Sequence, residues 1–222
     1  MLRRPLALIY TLAGEVSKAE EACQAVERIE GKTLLGCIYE DAAGIGFHYL
    51  RRGEWEKARD YLERAIPLYE ERSNLSALCA CSLILGSLYL ETGNLPRAEE
   101  LLLGSLDISR RGSNVLVELW VLPVICDLYL KRGQHAGAAE HVKRGFELLK
   151  PDRNWYGLPA PMFLAKGMLT TATRSWDEAE TSFETAIAIN RQYRLPYDEA
   201  KALYEWGLMC LTRGQAGDRE NA

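Results

Sequence analysis

The chain has 222 residues, of which 48% are hydrophobic and 26% charged, and its formal net charge is −4. Acidic and basic residues are interspersed, so no strong positive field is available to hold nucleic acid or an anionic membrane surface. No run approaches the roughly eighteen apolar residues of a membrane span. The N-terminal segment also lacks the apolar h-region and cleavage site of a signal peptide, because Gly14, Glu15 and Lys18 interrupt it. We expect a folded protein of the cytoplasm.

Helical periodicity with short breaks predicts about eleven α-helices. They pair into hairpins over 1–13 with 15–30, 33–52 with 54–71, 75–92 with 95–111, 115–132 with 135–149, and 161–173 with 175–193, before a helix over 197–213. Three prolines and a glycine within 151–161 predict a loop there. We interpret the chain as one elongated domain of repeats at about 1–30, 33–71, 74–111, 114–149, 159–193 and, incompletely, 196–222.

A residue that ends a helix recurs about every 40 positions, at Gly14, Gly53, Gly93, Gly133, Arg174 and Gly214. Five residues later stands a small residue, Ala19, Ala58, Ala98, Ala138 or Ala179, and four further on a larger one, Cys23, Leu62, Leu102, Val142 or Phe183. Seven residues before the turn stands Ala7, Gly46, Gly86, Cys126, Gly167 or Gly207. This pattern predicts a left-handed turn residue and two closely packed helices in each hairpin, with Trp55 and Trp176 filling the hairpin joint.

These positions resemble the tetratricopeptide pattern W-x2-L-G-x2-Y…A-x3-F over essentially the whole chain. The period exceeds the usual 34 residues by about six, which resembles the extended repeats of large LuxR-type bacterial regulators such as the maltose-regulon activator. The segment 194–214 is especially similar to their C-terminal arrays. The resemblance implies an all-α, right-handed superhelix of about eleven antiparallel helices.

The resemblance also implies that the first helix of each hairpin lines a concave groove that binds a protein, a peptide or a small-molecule effector. Carried over residue by residue, the groove positions include Phe47, Arg51, Leu83, Ser87, Glu91, Trp120, Asp127, Lys131, Met168 and Tyr204. Their alternative role is to pack against the neighbouring helix. Trp155 and Tyr156, in the proline-rich loop, are either further anchors for a ligand or plugs of the core. No Lys/Arg/Asn cluster resembles the carboxylate clamp of chaperone-binding members.

The sequence contains no phosphate-binding glycine loop and no HExxH, GxSxG or EF-hand pattern, so we predict neither an enzyme nor a bound cofactor. His48, and the pair His135 and His141, lack the spacing of metal ligands, so surface or packing roles are favoured and no metal is expected. The six cysteines contain no CxxC pair, which favours buried thiols in a reducing compartment; they are Cys23, Cys37, Cys79, Cys81, Cys126 and Cys210.

The favoured hypothesis is a non-catalytic binding module, the sensing or interaction part of a bacterial transcriptional or signalling regulator. The alternatives are a free-standing scaffold for complex assembly and the regulatory tail of a cyclase or ATPase. Neither nucleic acid nor a membrane is an expected partner of this segment. The last helix lacks a second helix to complete its repeat, and Asp218 is interpreted as a helix cap there, so self-association through this end is a further expectation.

Overall fold

The computed structural model describes residues 6–30, 42–150, 152–215 and 218. These residues form eleven α-helices and contain no strand, which confirms the all-α prediction. The expected helix over 33–52 is described only from Ala42, and its earlier part lies outside the described residues. The chain divides into two compact units, Met1–Asn114 and Val115–Ala222.

Unit 1 contains three hairpins whose apolar faces share one core. Its first helices α1, α3 and α5 pack in succession, and each also packs against its own second helix. The helices are α1 (Leu6–Leu12), α2 (Val16–Glu30), α3 (Ala42–Arg51), α4 (Trp55–Glu71), α5 (Leu75–Glu91) and α6 (Leu95–Arg111). Helix α5 is apolar nearly all round because neighbours cover most of its surface.

Unit 2 contains two hairpins and a further helix. Helix α9 packs against both α7 and α11, and α10 packs against α9 and α11. The helices are α7 (Val115–Lys131), α8 (His135–Leu148), α9 (Pro159–Ala172), α10 (Trp176–Tyr193) and α11 (Pro196–Arg213). Helix α11 therefore occupies the place of a first helix in the next hairpin.

The turns within the hairpins have the predicted conformation. Gly53 has a φ of 73°, and the other four turn glycines lie between 67° and 80°, the left-handed region in which glycine carries no Cβ penalty. At the Gly53 turn the Glu54 N–H donates to the Tyr49 carbonyl at 2.9 Å, and the Gly53 N–H donates to the Leu50 carbonyl at 3.1 Å. This pair of bonds satisfies carbonyls that the end of α3 leaves open. Arg174 takes the same conformation, at a φ of 60°.

The predicted close approach of the paired helices is also present. A Cβ added at Gly46 would lie 2.6 Å from Leu62, and one at Gly86 would lie 2.8 Å from Leu102. In unit 2 the same contact joins Gly167 to the ring of Phe183, at 2.7 Å. The absence of a side chain at each glycine thus lets the larger residue of the second helix pack directly against the backbone of the first helix.

Two details differ from the sequence-based expectation, at the start of α9 and at Trp55, and a third feature, at Gly145, was not predicted. Helix α9 begins at Pro159, within the expected loop, because the first turn of a helix needs no intrahelical N–H donors and tolerates Pro159 and Pro161. Gly145 on α8 is covered by the side chain of Met162 on α9, whose sulfur would lie 2.6 Å from an added Cβ. Trp55 does not fill the hairpin joint; it is the first residue of α4 and is 43% exposed.

The described cysteines are buried, as predicted, and none of these five forms a disulfide. Burial raises the pKa of the Cys126 thiol to about 12, with a contribution from Asp127. The Cys79 pKa is likewise raised by burial, although Ser105 hydrogen-bonds to its sulfur at 3.1 Å. A raised thiol pKa means little thiolate at neutral pH, so these groups are poor nucleophiles. Cys37 lies outside the described residues.

His48 is buried at the junction of α1, α2 and α3, with 1% of its surface exposed. Its Nδ1 lies 3.0 Å from the hydroxyl of Thr11 on α1, and its Nε2 lies 3.2 Å from a carboxylate oxygen of Glu20 on α2. Glu20 also accepts a hydrogen bond from Arg52 at 2.8 Å. The hydrogen bond with His48 is the main cause that lowers the pKa of the Glu20 carboxyl, opposed by partial burial. His48 is therefore a packing histidine that joins three helices.

This junction predicts an acid-sensitive contribution to stability. Because the Glu20 pKa is lowered in the folded state, the ionised carboxylate stabilises the fold above its unfolded pKa, and this stabilisation is lost as pH falls through the folded pKa. Glu20→Gln should lower the free energy of unfolding by about 0.5–1 kcal/mol at pH 7. The difference from the unmodified chain should shrink toward zero as urea unfolding is repeated at pH values below about 4. Glu21→Gln, an exposed neighbour, is the control, and a pH-independent difference would contradict the assignment.

Candidate functional site

The predicted groove positions of unit 1 lie on α3 and α5, two helices that pack against each other. Arg51 places its guanidinium carbon 4.6 Å from the centroid of the Phe47 ring, and both side chains are half-buried. This cation–π contact holds the arginine in place beside an apolar surface. The pair thus presents a charged group and an aromatic face together.

The three predicted positions on α5 are not equally accessible. Ser87 is half-buried and donates its hydroxyl proton to the Leu83 carbonyl oxygen at 2.9 Å, while Glu91 is exposed at the end of the helix. Leu83 itself is buried, so it is not part of an accessible surface. Phe47, Arg51, Ser87 and Glu91 remain the accessible part of the predicted site in this unit.

In unit 2 the predicted positions on α7 differ in the same way. Trp120 is half-buried, and Lys131 is exposed at the end of the helix. Asp127 is buried, and its carboxylate lies 3.2 Å from the Lys131 ammonium, one turn away. The aspartate therefore orients the lysine and is not itself open to a partner.

The two remaining predicted positions lie on α9 and α11. Met168 is half-buried and packs against the core cluster that contains Phe183 and Met209. Tyr204 is 65% exposed on α11. Because α9 packs against both α7 and α11, unit 2 brings its first helices side by side, with Trp120 and Tyr204 on helices separated by α9.

Sequence reasoning overlooked two exposed apolar residues at the starts of the first helices of unit 2. Leu116 on α7 and Tyr197 on α11 are exposed, and they occupy the same position relative to the turn residues Gly133 and Gly214. The repeat register could have identified them, since Leu116 also lies one helical turn before Trp120. Together they extend the accessible apolar surface of unit 2.

The two loop aromatics have different environments. Trp155 is half-buried, and its indole N–H donates to the Lys150 carbonyl oxygen at 2.9 Å. Tyr156 is exposed, has a φ of 52°, and meets the ring of Tyr193 edge-on at 6.1 Å. Trp155 is thus tied to the backbone of its own loop, whereas the Tyr156 side chain is exposed.

In each unit, the accessible positions described above consist of aromatic and aliphatic side chains with a few charges. This composition suits contact with a polypeptide. Within the described parts of the chain, no three His, Cys, Asp or Glu side chains are placed to hold a metal ion. The described helices also include none that is long and apolar enough to cross a bilayer.

Comparison with known proteins agrees with the repeat pattern. A sequence model of the tetratricopeptide repeat matches residues 34–111. The chain is 23% identical over 140 residues to the sister chromatid cohesion protein SCC4 of Arabidopsis thaliana, covering 61% of this chain and 19% of that protein. It is 27% identical over 150 residues to the MAU2 chromatid cohesion factor homolog of Nematostella vectensis, covering 65% of this chain and 24% of that protein. It thus spans less than a quarter of either relative.

Solved structures share the fold. The apo form of RapI superposes with a TM-score of 0.68 at 15% identity, covering 97% of this chain and 77% of RapI. A kinesin light chain with nearly identical TPR-like repeats, from Podosopora anserina, superposes with a TM-score of 0.59 at 20% identity. That match covers 86% of this chain and 93% of the kinesin light chain. These likenesses confirm the fold that the repeat pattern predicts.

Proposed function

We propose that this tetratricopeptide-repeat protein is a non-catalytic scaffold that binds a segment of another protein through the first helices of its hairpins. The observation that carries the proposal is the surface of α7, where exposed Leu116 and half-buried Trp120 lie one turn apart and Lys131 stands at the end of the helix. Tryptophan is among the residue types most enriched in binding hot spots.

Unit 1 offers a second contact surface of similar chemistry. Arg51 is held against Phe47 by a cation–π contact, so little side-chain entropy would be lost when it meets a partner. Glu91, at the end of the neighbouring first helix, adds an acidic group. The mixture of apolar and charged groups favours a peptide or protein segment over an apolar small molecule.

The comparisons favour a scaffold over the sensing part of a bacterial regulator. Both curated relatives are named as chromatid cohesion proteins, and neither name describes an enzyme. Because the chain spans less than a quarter of each, the activity and partners of the whole protein are part of this proposal. We also propose a cytoplasmic location, which the composition and the buried thiols support.

A regulator remains the second candidate. The likeness of residues 194–214 to the C-terminal arrays of large bacterial regulators favours it, since this segment forms helix α11 as expected. An ATPase or DNA-binding domain encoded beside this segment would support the regulator candidate over the scaffold. The regulatory tail of a cyclase would be supported in the same way by a cyclase domain.

The test uses a peptide library displayed on phage, selected on the unmodified protein, with affinities of the recovered peptides measured by fluorescence polarisation. Trp120→Ala or Arg51→Ala should weaken binding about tenfold or more, as loss of a hot-spot residue does. Far-UV circular dichroism should stay unchanged because both side chains are partly exposed.

Matched controls lie on a second helix, α4. Trp55→Ala removes an exposed tryptophan, and Arg64→Ala removes an arginine whose guanidinium carbon lies 5.7 Å from the Tyr61 ring. Neither change should affect peptide binding by more than about twofold, as expected for residues outside a hot spot. Recovery of no binding peptide, or peptides sensitive only to the α4 changes, would refute the proposed surfaces.

A further inference from the structure

The buried ring of His48 makes two hydrogen bonds, and the first of them fixes where one of its hydrogens lies. The Thr11 hydroxyl donates its only proton to the Ala7 carbonyl oxygen at 2.7 Å. The hydroxyl oxygen can then only accept from the His48 Nδ1, which lies 3.0 Å away. Nδ1 therefore carries a hydrogen, and a neutral imidazole has no second N–H to offer at Nε2.

The other ring nitrogen, Nε2, faces a carboxylate that already accepts from other donors. The Glu20 oxygen that lies 3.2 Å from Nε2 also accepts from Arg52 at 2.8 Å, and the second Glu20 oxygen accepts from Gln24 at 3.2 Å. The lowered pKa of the Glu20 carboxyl agrees with an ionised group. Two lone pairs would face each other unless Nε2 also carries a hydrogen, so this arrangement requires a doubly protonated, positively charged ring.

Glu20 is the group that compensates for this buried positive charge. Of the described residues around His48, α1 presents an uncharged hydroxyl, and Glu20 of α2 is the charged side chain that bonds to the ring. On α3 the Tyr49 ring lies 5.7 Å from the His48 ring, between centroids. Arg52, just after α3, reaches Glu20 and also pairs with Glu54 at 2.7 Å. Its charge is thus shared between two carboxylates, and Glu20 can serve both cations.

These contacts lie where the first hairpin joins the rest of unit 1. Among the described helices, α1 and α2 make their substantial contacts with each other and with α3. Thr11 belongs to α1 and Glu20 to α2, so both helices of the hairpin bond to the same ring on α3. These two hydrogen bonds can therefore form only while the hairpin is packed on α3.

We propose that the His48 junction, formed by Thr11, Glu20 and His48, is a pH-sensitive contact that holds the first hairpin on α3 while the ring carries both hydrogens. This inference does not depend on the proposed partner binding. Loss of the Nε2 hydrogen replaces an attraction between imidazolium and carboxylate by a contact between two acceptors. The stabilisation is therefore present at mildly acidic pH and is lost as pH rises, the opposite direction to the contribution of Glu20 ionisation.

Nitrogen NMR of the imidazole rings tests the protonation state on the full chain at about pH 7, where an unpaired histidine is mostly neutral. Both ring nitrogens of His48 should have the nearly equal shifts of an imidazolium, and their signals should be absent from His48→Gln. Glu20→Gln should convert the ring to the neutral form with its hydrogen on Nδ1, because an amide N–H can donate to Nε2. Glu21→Gln, at an exposed neighbour, should leave the imidazolium unchanged.

Hydrogen exchange followed by mass spectrometry then measures how firmly the hairpin is held. After correction for the intrinsic effect of pH, the amides of α1 and α2 should open roughly tenfold more often at about pH 9 than at about pH 6, as expected when a hydrogen bond to a charged group is lost. This increase should disappear in His48→Gln. It should remain in His141→Gln, which changes a half-buried histidine of α8.

Three results would overturn the proposal. The first is a neutral His48 ring in the unmodified chain at about pH 7. The second is equal opening of α1 and α2 at the two pH values, and the third is an increase with pH that persists in His48→Gln. Because the NMR measurement on Glu20→Gln retains the histidine, it decides the protonation state even if His48→Gln destabilises the hairpin.

Discussion

Phe183→Ala is expected to lower the free energy of unfolding by about 3–5 kcal/mol, the range found when a buried aromatic side chain is removed. Phe183 is fully buried, and its ring lies over Gly167, packed with Met209 and Cys210 of α11. Removing the ring leaves a cavity between three helices whose backbones cannot all move inward. The backbone amides of α11 should therefore lose much of their protection from hydrogen exchange in the Phe183→Ala variant.

Urea unfolding followed by circular dichroism measures this change, and hydrogen exchange locates it. Leu103→Ala, at a partly exposed leucine of α6, should cost less than about 1 kcal/mol, because little apolar area there is removed from water by folding. If the two substitutions had equal effects, the ring of Phe183 would not be the centre of the unit 2 core.

Gly86→Leu is expected to lower the free energy of unfolding by about 1–3 kcal/mol through overpacking. Even the Cβ of an alanine at this position would lie 2.8 Å from Leu102 Cγ and 3.4 Å from Leu101 Cβ. Leu102 is fully buried, so α5 and α6 would have to separate to admit the added atoms. The melting temperature should fall by several degrees, at about 2–4 °C per kcal/mol for a chain of this size.

The chain provides a matched control for this prediction. Gly104, inside α6, has nothing within 4 Å of an added Cβ, so Gly104→Ala should be neutral or stabilising by helix propensity. Gly86→Ala should be destabilising in the same assay. A double substitution of Gly86→Ala with Leu102→Ala should cost less than the sum of the two single changes, because Leu102→Ala removes the atoms that the new methyl group would overlap. Additive effects would contradict the proposed packing of the hairpin.

The repeat register predicted the fold closely because each of its signals has a local physical cause. A residue that must adopt positive φ ends a helix wherever it stands, as at Gly53, and Arg174 was found by its place in the register alone. The pairing of Gly46 with Leu62 followed from the same spacing, since a small residue is needed wherever two helices approach closely.

Features that depend on contacts between different hairpins could not be predicted in this way. His48 is a packing residue because Thr11 and Glu20, distant in sequence, converge on it. Gly145 is needed at its position because the side chain of Met162, from the following hairpin, occupies the space that a Cβ would fill. Accessibility of the candidate site is likewise tertiary: periodicity places Leu83 and Ser87 on one face, but only the packing of α5 among its neighbours buries Leu83.

The succession of hairpins also bears on how the protein folds. Among the described helices of each unit, the substantial packing partners are adjacent in sequence or separated by a single helix, as α3 is from α5 and α9 from α11. Little loop-closure entropy must then be lost before native contacts form, which places each unit among the fast-folding topologies. Such a unit can begin to acquire its native packing as soon as two hairpins have left the ribosome.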